Sequence, residues 1–224
     1  MTTTLHIAAE KNYSSWSLRG WLVLRWGGIA FNEVLITLAQ PGYGESSIAQ
    51  LLTVAPNGQV PSLDHDGVTI WDSLAIAEWA AEQNPGLWPH DPAMRARARS
   101  VTAEMHSGFL PIRRDLSMNI VRRCTVTDLP AETRRSIARM RALIADCLKA
   151  AHGGPWLFGE RSIADAFFAP VATRFRTYGV TLDFQCQAWV DTVLSDRDFR
   201  EWEAACIPDS WDHHGYSVID GLHR

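Results

Sequence analysis

The chain has 224 residues, of which 46% are hydrophobic, and it carries a formal net charge of −4. This length and composition allow it to bury a substantial core and exclude a disordered or fibrous protein. No block of five or more like charges occurs, so the charge pattern does not indicate a nucleic-acid partner. We expect its partners to be small molecules or another protein.

The cysteines and the N-terminal residues limit the class of protein further. The four cysteines lie outside any CxxC or metal-ligand spacing, so we expect neither a disulfide framework nor a bound metal. The N-terminus lacks a basic region followed by an apolar stretch, and no apolar run reaches the roughly 18 residues of a transmembrane helix. The sequence therefore predicts a cytoplasmic protein without a membrane segment.

Charge is unevenly distributed along the chain. Residues 1–86 contain three Lys or Arg and eight Asp or Glu, whereas the remainder contains 18 and 17. An anionic ligand bound by the first part would depend on backbone dipoles and a few placed side chains.

Residues 1–86 alternate strand-like and helical runs in the order β-α-β, loop, β-β-α. Strands are predicted at 5–9, 31–38, 60–64 and 68–71, and helices at 16–26 and 74–83, with a short helix within the loop 39–56. Ser73 is expected to cap the last of these helices. A parallel unit joined to an antiparallel hairpin is the thioredoxin arrangement, so we predict a thioredoxin-like α/β domain over 1–86.

Residues 92–224 have few strand signals, and their apolar residues recur at helical spacing. One stripe runs from Ala98 to Ile112, with Pro111 expected to bend the helix. Further helices are predicted at 137–151, from 162 to about 175, and at 185–194, whereas 207–224 look irregular. We therefore predict an all-helical second domain over 92–224.

A run of serines lies where a thioredoxin fold presents its reactive group, between the first strand and the first helix. Residues 12–19 read Asn-Tyr-Ser-Ser-Trp-Ser-Leu-Arg, with no CxxC, which excludes dithiol exchange by the protein at this place. A serine hydroxyl, together with the N–H groups of a helix N-terminus, can stabilise a bound thiolate. Ser14 or Ser15 can equally serve only as a helix N-cap, which is the usual role of such residues.

Two further features suit the binding of an extended peptide. If Val60-Pro61 is cis, the backbone groups of Val60 point outward and can pair with a peptide strand; an ordinary loop-to-strand proline is the alternative. Asp72 can accept an ammonium, and Ser73 with nearby N–H groups can bind a carboxylate, although the pair can also be a simple helix cap. By contrast, the capping-box pattern from Ser162 to Asp165 is interpreted as structural only.

These three N-terminal features, in this order and at this spacing, resemble the glutathione transferase superfamily over nearly the whole chain. Residues 13–24 resemble the zeta class, which has two serines, a cysteine and an Arg-containing helix here. The resemblance implies a homodimer that binds glutathione as cosubstrate in the first domain and a small electrophile between the domains. By position, Ser14 stabilises the thiolate and Ser15 assists or replaces it. The implied glutathione-binding residues are Trp16, Gln59, Val60, Pro61, Asp72 and Ser73.

The resemblance also bears on the second substrate. Trp16 stands where the zeta class has its cysteine, and Arg176 lies close to the place of a substrate-binding arginine in that class. Arg113 and Arg114, on the helix that should face the cleft, could form a fork for a dicarboxylate, and His106 could approach the same cleft. An ordinary surface or core position is the alternative for each of the last four, Arg113, Arg114, Arg176 and His106.

The implied function is addition of the glutathione thiolate to small electrophiles, or cis–trans isomerisation of maleylacetoacetate-like dicarboxylates. A non-catalytic binding module that keeps the fold remains the alternative.

Overall fold

The N-terminal part of the protein is a four-stranded mixed sheet with helices. The structure, a computed structural model, describes residues 2–38, 48–151 and 153–206. The elements of the N-terminal part are β1 (Thr3–Ala8), α1 (Ser15–Trp26), β2 (Asn32–Ile36), α2 (Ala49–Val54), β3 (Ser62–His65), β4 (Val68–Trp71) and α3 (Ser73–Gln83).

The strand order is β2-β1-β3-β4, which confirms the predicted thioredoxin-like arrangement. β1 runs parallel to β2 and antiparallel to β3, and β3 forms the predicted hairpin with β4. Leu5 and Ile7 of β1 are fully buried, as is Leu63 of β3. These side chains belong to one hydrophobic core that also includes residues of α1 and α3 and extends into the helical part.

The C-terminal part is helical. A single 3-10 turn (Pro85–Leu87) precedes α4 (Pro92–Ser107), α5 (Leu110–Asp115), α6 (Ala131–Ala150), α7 (Ile163–Thr177), α8 (Phe184–Ser195) and α9 (Arg197–Ala204). In the described part of the chain, no helix is long and apolar enough to cross a membrane. The segment predicted to be irregular, residues 207–224, lies outside the described residues.

α7 is the central helix and packs against α1, α4 and α8. The capping box at its N-terminus is confirmed: Ser162 and Asp165 satisfy each other's backbone groups. Asp165 is fully buried and accepts hydrogen bonds from the N–H of Leu157, at 2.9 Å, and from Trp189 Nε1, at 3.0 Å. This carboxylate therefore ties the start of α7 to the preceding turn and to α8.

The prediction of one bent helix through Pro111 is wrong, because the chain breaks before that residue. α4 ends at Ser107 and is capped by Gly108, where a Cβ would lie only 2.7 Å from the carbonyl oxygen of Glu104. Phe109 follows in the left-handed conformation with φ 61°, and Pro111 then lies in the first turn of α5. Proline is tolerated there because the N–H groups of a first turn have no partner within the helix.

The prediction that Ser73 caps α3 is also wrong. The cap is Asp72, whose φ is 75° and whose Oδ1 accepts the Leu74 N–H at 2.7 Å. Ser73 is instead the first helical residue and is buried. The Asp72 carboxylate can accept an N–H of the first turn as well as a serine hydroxyl can. The sequence alone therefore did not decide whether Asp72 or Ser73 caps the helix.

Candidate active site

Ser14 caps α1 and is tied to the end of β1. Its Oγ accepts the Ser17 N–H at 3.4 Å, and its hydroxyl donates to Ser17 Oγ at 2.7 Å. Ser17 Oγ in turn accepts the N–H of Ala8 at 3.1 Å. Ser14 therefore caps α1, which is the usual role of a serine at this place. The Ser14 proton can still turn to a ligand, because the Ser17 hydroxyl can donate to Ser14 in return.

Ser15 is the first residue of α1 and is buried. Its side chain makes no hydrogen bond within the described residues. Both predicted catalytic serines thus lie at the helix N-terminus, where the first N–H groups lack partners within the helix and attract negative charge.

Trp16 is surrounded by positively charged and ring side chains. The guanidinium carbons of Arg19 and Arg113 lie 4.5 and 4.8 Å from its ring centroid. The ring of His106 meets the Trp16 ring edge-on, with the centroids 5.2 Å apart. The structure therefore brings the predicted residues Trp16, His106 and Arg113 together, and it adds Arg19, which the sequence analysis did not single out.

Arg19 is completely buried between the N-terminal and helical parts. Its Nε donates to the carbonyl oxygen of Phe167 at 3.2 Å, whereas Nη1 and Nη2 have no hydrogen-bond partner among the described residues. Burial lowers the pKa of Arg19 well below its usual value, and the nearby charges of Arg113 and Arg174 lower it further. One signal in the sequence could have pointed to it: Arg19 is a lone charge in the apolar middle of α1.

Asp72 and His106 meet across the two parts of the chain, with Asp72 Oδ2 3.4 Å from His106 Nε2. Burial lowers the pKa of His106 below its usual value, Asp72 opposes this shift, and Arg19 and Arg113 reinforce it. His106 is therefore mainly uncharged at neutral pH.

Ser73 and Val60 have unused hydrogen-bonding groups. The Ser73 hydroxyl is buried and has no partner among residues 2–38, 48–151 and 153–206. Val60-Pro61 is cis, as the sequence analysis considered, and the Val60 backbone makes no hydrogen bond in the same residues. Gln59 beside them is exposed. Pro61 packs so closely on α1 that a Cβ at Gly20 would lie 3.2 Å from its Cγ.

The three arginines predicted for the substrate do not form one cluster. Arg113 caps the end of α4, with its guanidinium donating to the carbonyl oxygens of Gly108 at 3.0 Å and Met105 at 2.5 Å. Burial lowers the pKa of Arg113 from its usual value.

Arg114 and Arg176 have carboxylate partners instead. Arg114 pairs with Asp115 at 2.6 Å and with Glu132 at 2.5 Å. Arg176 pairs with Glu203 of α9 at 2.5 Å. The arginine that faces Arg19 from α7 is Arg174, two residues earlier, and the sequence analysis did not name it.

The four cysteines are free thiols, three of them buried. Burial raises the pKa of Cys147 to about 11 and that of Cys186 and Cys206 to about 12. These thiols stay protonated at neutral pH and are poor nucleophiles. The described residues contain no group of three or more His, Cys, Asp or Glu side chains that could hold a metal ion.

Comparison with known proteins agrees with this fold. Residues 13–83 match the family described as Glutathione S-transferase, N-terminal domain. A glutathione transferase homolog from Burkholderia GL BGR1, solved with bound glutathione, superposes with a TM-score of 0.71 at 21% identity, covering 92% of this chain and 98% of that one. A theta class enzyme from Xanthomonas axonopodis pv. citri, with glutathione bound, gives 0.64 at 21% identity, covering 89% and 96%.

Residues 13–83 therefore belong to this family, and the whole chain has the fold of glutathione transferase enzymes. Over most of its length the chain is similar to the zeta class. Maleylacetoacetate isomerase of Rattus norvegicus is 29% identical over 170 residues, which cover 75% of this chain and 76% of the relative. Maleylacetoacetate isomerase of Pseudomonas aeruginosa is 27% identical over 216 residues, covering 89% and 95%.

Proposed function

We propose that the protein binds glutathione in a domain formed by residues 1–86 and activates its thiol with the Ser14 hydroxyl for addition to small electrophiles. The observation that carries this proposal is the unused hydrogen-bonding capacity of Ser73 and Val60. A buried hydroxyl without a partner is costly, and a ligand that supplies the partner removes that cost. The glutathione-bound neighbours support glutathione as this ligand.

In this proposal, Val60 pairs with the backbone of glutathione as an added strand, with Gln59 and Pro61 beside it. Ser73 and the N–H groups of the first turn of α3 bind a carboxylate of the tripeptide, and Asp72 accepts its ammonium. Helix dipoles serve this purpose in a domain whose net charge is negative.

The glutathione sulfur then lies at the N-terminus of α1. A free thiol has a pKa of about 8.5, and each unit by which the site lowers it corresponds to about 1.4 kcal/mol of thiolate stabilisation. Ser14 donates its hydroxyl proton in a hydrogen bond to the thiolate and does not act as a base. Ser15, buried on the same turn, positions the sulfur or replaces Ser14.

For a maleylacetoacetate-like dicarboxylate, the thiolate adds to one carbon of the conjugated double bond. The new C–S bond forms as the π electrons move onto the carbonyl oxygen, which leaves a single bond that can rotate. The electrons then return, the double bond forms again in the trans geometry, and the thiolate leaves. The protein contributes thiolate stabilisation and positioning.

We place the electrophile between the N-terminal part and a substrate domain formed by residues 92–224. Trp16, His106 and Arg113 line this place, and Arg113 is the arginine positioned to attract an acidic substrate. Arg114 and Arg176 can bind the substrate only if each releases its present carboxylate partner and pairs with a carboxylate of the substrate instead. We further propose that the protein is a homodimer, as the family resemblance implies, and that it is located in the cytoplasm.

The test compares Ser14→Ala and Ser15→Ala with Ser107→Ala, an exposed serine at the end of α4. Ser14→Ala should raise the thiol pKa of bound glutathione by about one unit or more, because the thiolate loses its hydroxyl donor. The thiolate's ultraviolet absorbance gives this pKa. Turnover of chlorodinitrobenzene and maleylacetone should fall in parallel. If Ser15→Ala causes the loss and Ser14→Ala does not, the assignment to Ser14 is wrong.

A non-catalytic glutathione-binding or interaction module is the second candidate. One observation favours it: the Ser14 hydroxyl is already engaged in capping α1. Calorimetric titration with glutathione separates the two candidates. Binding at millimolar or tighter affinity together with turnover supports the enzyme, whereas binding without turnover of any electrophile supports the module.

A further inference from the structure

Arg19 carries a buried positive charge without a carboxylate that matches it. Its side chain is 0% exposed, and two of its three guanidinium nitrogens have no partner among the described residues. A buried charge is costly unless it is paired and fully hydrogen-bonded. A position on α1 that served stability alone would be better filled by an apolar side chain.

The charges that face Arg19 are mostly of the same sign. Arg113 of α5 and Arg174 of α7 repel it, and Asp72, before α3, attracts it. His106 of α4 also faces this place but is mainly neutral, as described above. The Asp72 side chain is 45% exposed and hydrogen-bonded to Leu74, so solvent weakens its attraction for Arg19. The charged groups that act on Arg19 therefore include more positive than negative ones.

The Arg19 side chain is directed toward the N-terminus of α1. Helical side chains tilt toward the helix N-terminus, so a residue covers the turn before its own Cα. Trp16 lies on that preceding turn, and the Arg19 guanidinium lies 4.5 Å from its ring centroid. The charge is thus one turn from Ser14 and Ser15.

We propose that Arg19 lowers the thiol pKa of bound glutathione through its electric field, without touching the sulfur. This inference rests on the proposed function, which places the sulfur at Ser14. In a poorly solvated interior, an unpaired charge acts over several ångströms more strongly than in water. Arg19 is therefore a positioning residue that acts on the thiolate through its charge and not by contact. The negative charge of the thiolate, in turn, stabilises the unpaired guanidinium.

A thiolate suits Arg19 better than a carboxylate. Arginine binds carboxylates by direct, paired hydrogen bonds, which require access to its nitrogens. The unpaired nitrogens of Arg19 belong to a guanidinium packed 4.5 Å from the Trp16 ring centroid and 5.2 Å from that of Phe167, so a carboxylate would have to displace a ring to reach them. A field effect needs no such access.

The experiment replaces Arg19 with methionine, which keeps much of the volume and removes the charge. The matched control is Arg25→Met, because Arg25 is also on α1 and lies 5.1 Å from an indole, that of Trp21, but pairs with Asp198 and Glu201. The thiol pKa of bound glutathione, titrated by thiolate absorbance, should rise by about one unit or more in Arg19→Met and stay unchanged in Arg25→Met. An unchanged thiol pKa in Arg19→Met overturns the inference. So does weaker glutathione binding with the same thiol pKa, which would mean that Arg19 binds a carboxylate.

A second measurement separates an electrostatic role from a structural one. Without glutathione, Arg19→Met should melt at or above the temperature of the wild type, because an uncompensated buried charge has been removed. A lower melting temperature with an unchanged thiol pKa is the result that a purely structural role predicts. If Arg19→Met does not fold, the stability expectation is overturned. Arg19→Gln, which also removes the charge but keeps an N–H donor for the Phe167 carbonyl, then decides the electrostatic part by the same titration.

The two proposals fail in different ways. If wild-type protein binds no glutathione, or if Ser14→Ala leaves the thiol pKa unchanged, the proposed function is wrong. Suppose instead that glutathione binds with a lowered thiol pKa and that Ser14→Ala raises this pKa. If removing the charge of Arg19 then leaves the thiol pKa unchanged, only the inference about Arg19 is wrong.

Discussion

Asp72 Oδ2 lies 3.4 Å from Nε2 of His106, so the cap of α3 meets the last turn of α4 across the two parts of the chain. The other oxygen of Asp72 holds the Leu74 N–H and starts α3. One carboxylate thus orders the proposed glutathione-binding turn and contacts the helix that lines the proposed electrophile site. A substitution at either residue should therefore change the environment of the other.

Asp72→Asn should lower the pKa of His106 further, because Asp72 is the group that raises it against burial, Arg19 and Arg113. NMR titration of the His106 imidazole measures this directly. Asp66→Asn, an exposed carboxylate in the β3–β4 turn, is the control and should leave the His106 titration unchanged. A His106 pKa that rises in Asp72→Asn would contradict the electrostatic assignment. Asparagine keeps an oxygen that can accept the Leu74 N–H, so the cap of α3 should be retained.

Acid should destabilise the protein through His106. Its pKa is lowered in the folded state, so the unfolded chain binds more protons as the pH falls below about 6.5. The contribution of His106 to the free energy of unfolding is fully present above the pKa that His106 has in the unfolded chain. It is lost as the pH falls toward the lower pKa of His106 in the folded protein. Urea unfolding at pH 7.5 and 5.5 measures the loss, which should be smaller in His106→Gln. The exposed His90, changed to Gln, should lose as much as the wild type.

Asp165→Asn should destabilise the protein by about 3 kcal/mol, because both carboxylate oxygens accept hydrogen bonds and an amide nitrogen cannot. Ser162→Ala, which removes only the hydroxyl of the same capping box, should cost about 1 kcal/mol. Urea unfolding at pH 7 compares them. Equal losses would show that the bonds to Leu157 and Trp189 contribute little.

The ionisation of Asp165 adds a pH dependence of opposite sign to that of His106. Burial raises the Asp165 pKa to about 6. A raised carboxyl pKa gives stability that is present below the unfolded value of about 4 and is lost as the pH rises through about 6. Asp165→Asn should therefore lose less stability than the wild type between pH 4 and pH 6.

Trp16→Ala should widen the range of electrophiles that the enzyme accepts. The ring packs among Arg19, Arg113 and His106, where it fills space at the proposed sulfur site. Its removal should raise kcat/KM for bulky electrophiles relative to small ones by roughly tenfold. Trp79→Ala, at a partly buried indole on α3 beside His65, is the control and should leave this ratio unchanged. An unchanged ratio in Trp16→Ala would mean that the ring does not limit the pocket.

Sequence reasoning was most successful where a pattern is local. The turn His65-Asp66-Gly67 between two strand-like runs predicted the β3–β4 hairpin, and the spacing of Ser162 and Asp165 predicted the capping box. Both succeeded because neighbours in the chain make those contacts. α9 was missed because its eight residues contain only two buried apolar side chains, Phe199 and Trp202, among charged ones. Two apolar residues three positions apart in so short and polar a segment give a weak signal for a buried helix.

The sequence by itself determined the order of strands and helices in residues 1–86, the serines at the start of α1 and the resemblance to glutathione transferases. Only the tertiary structure decided which arginines face the site. Arg114 and Arg176 lie beside carboxylates of other helices, whereas Arg19 and Arg113 lie beside the ring of Trp16. Charge pairing depends on contacts between residues far apart in the chain, so no local pattern records whether an arginine will be paired or left buried without an anion.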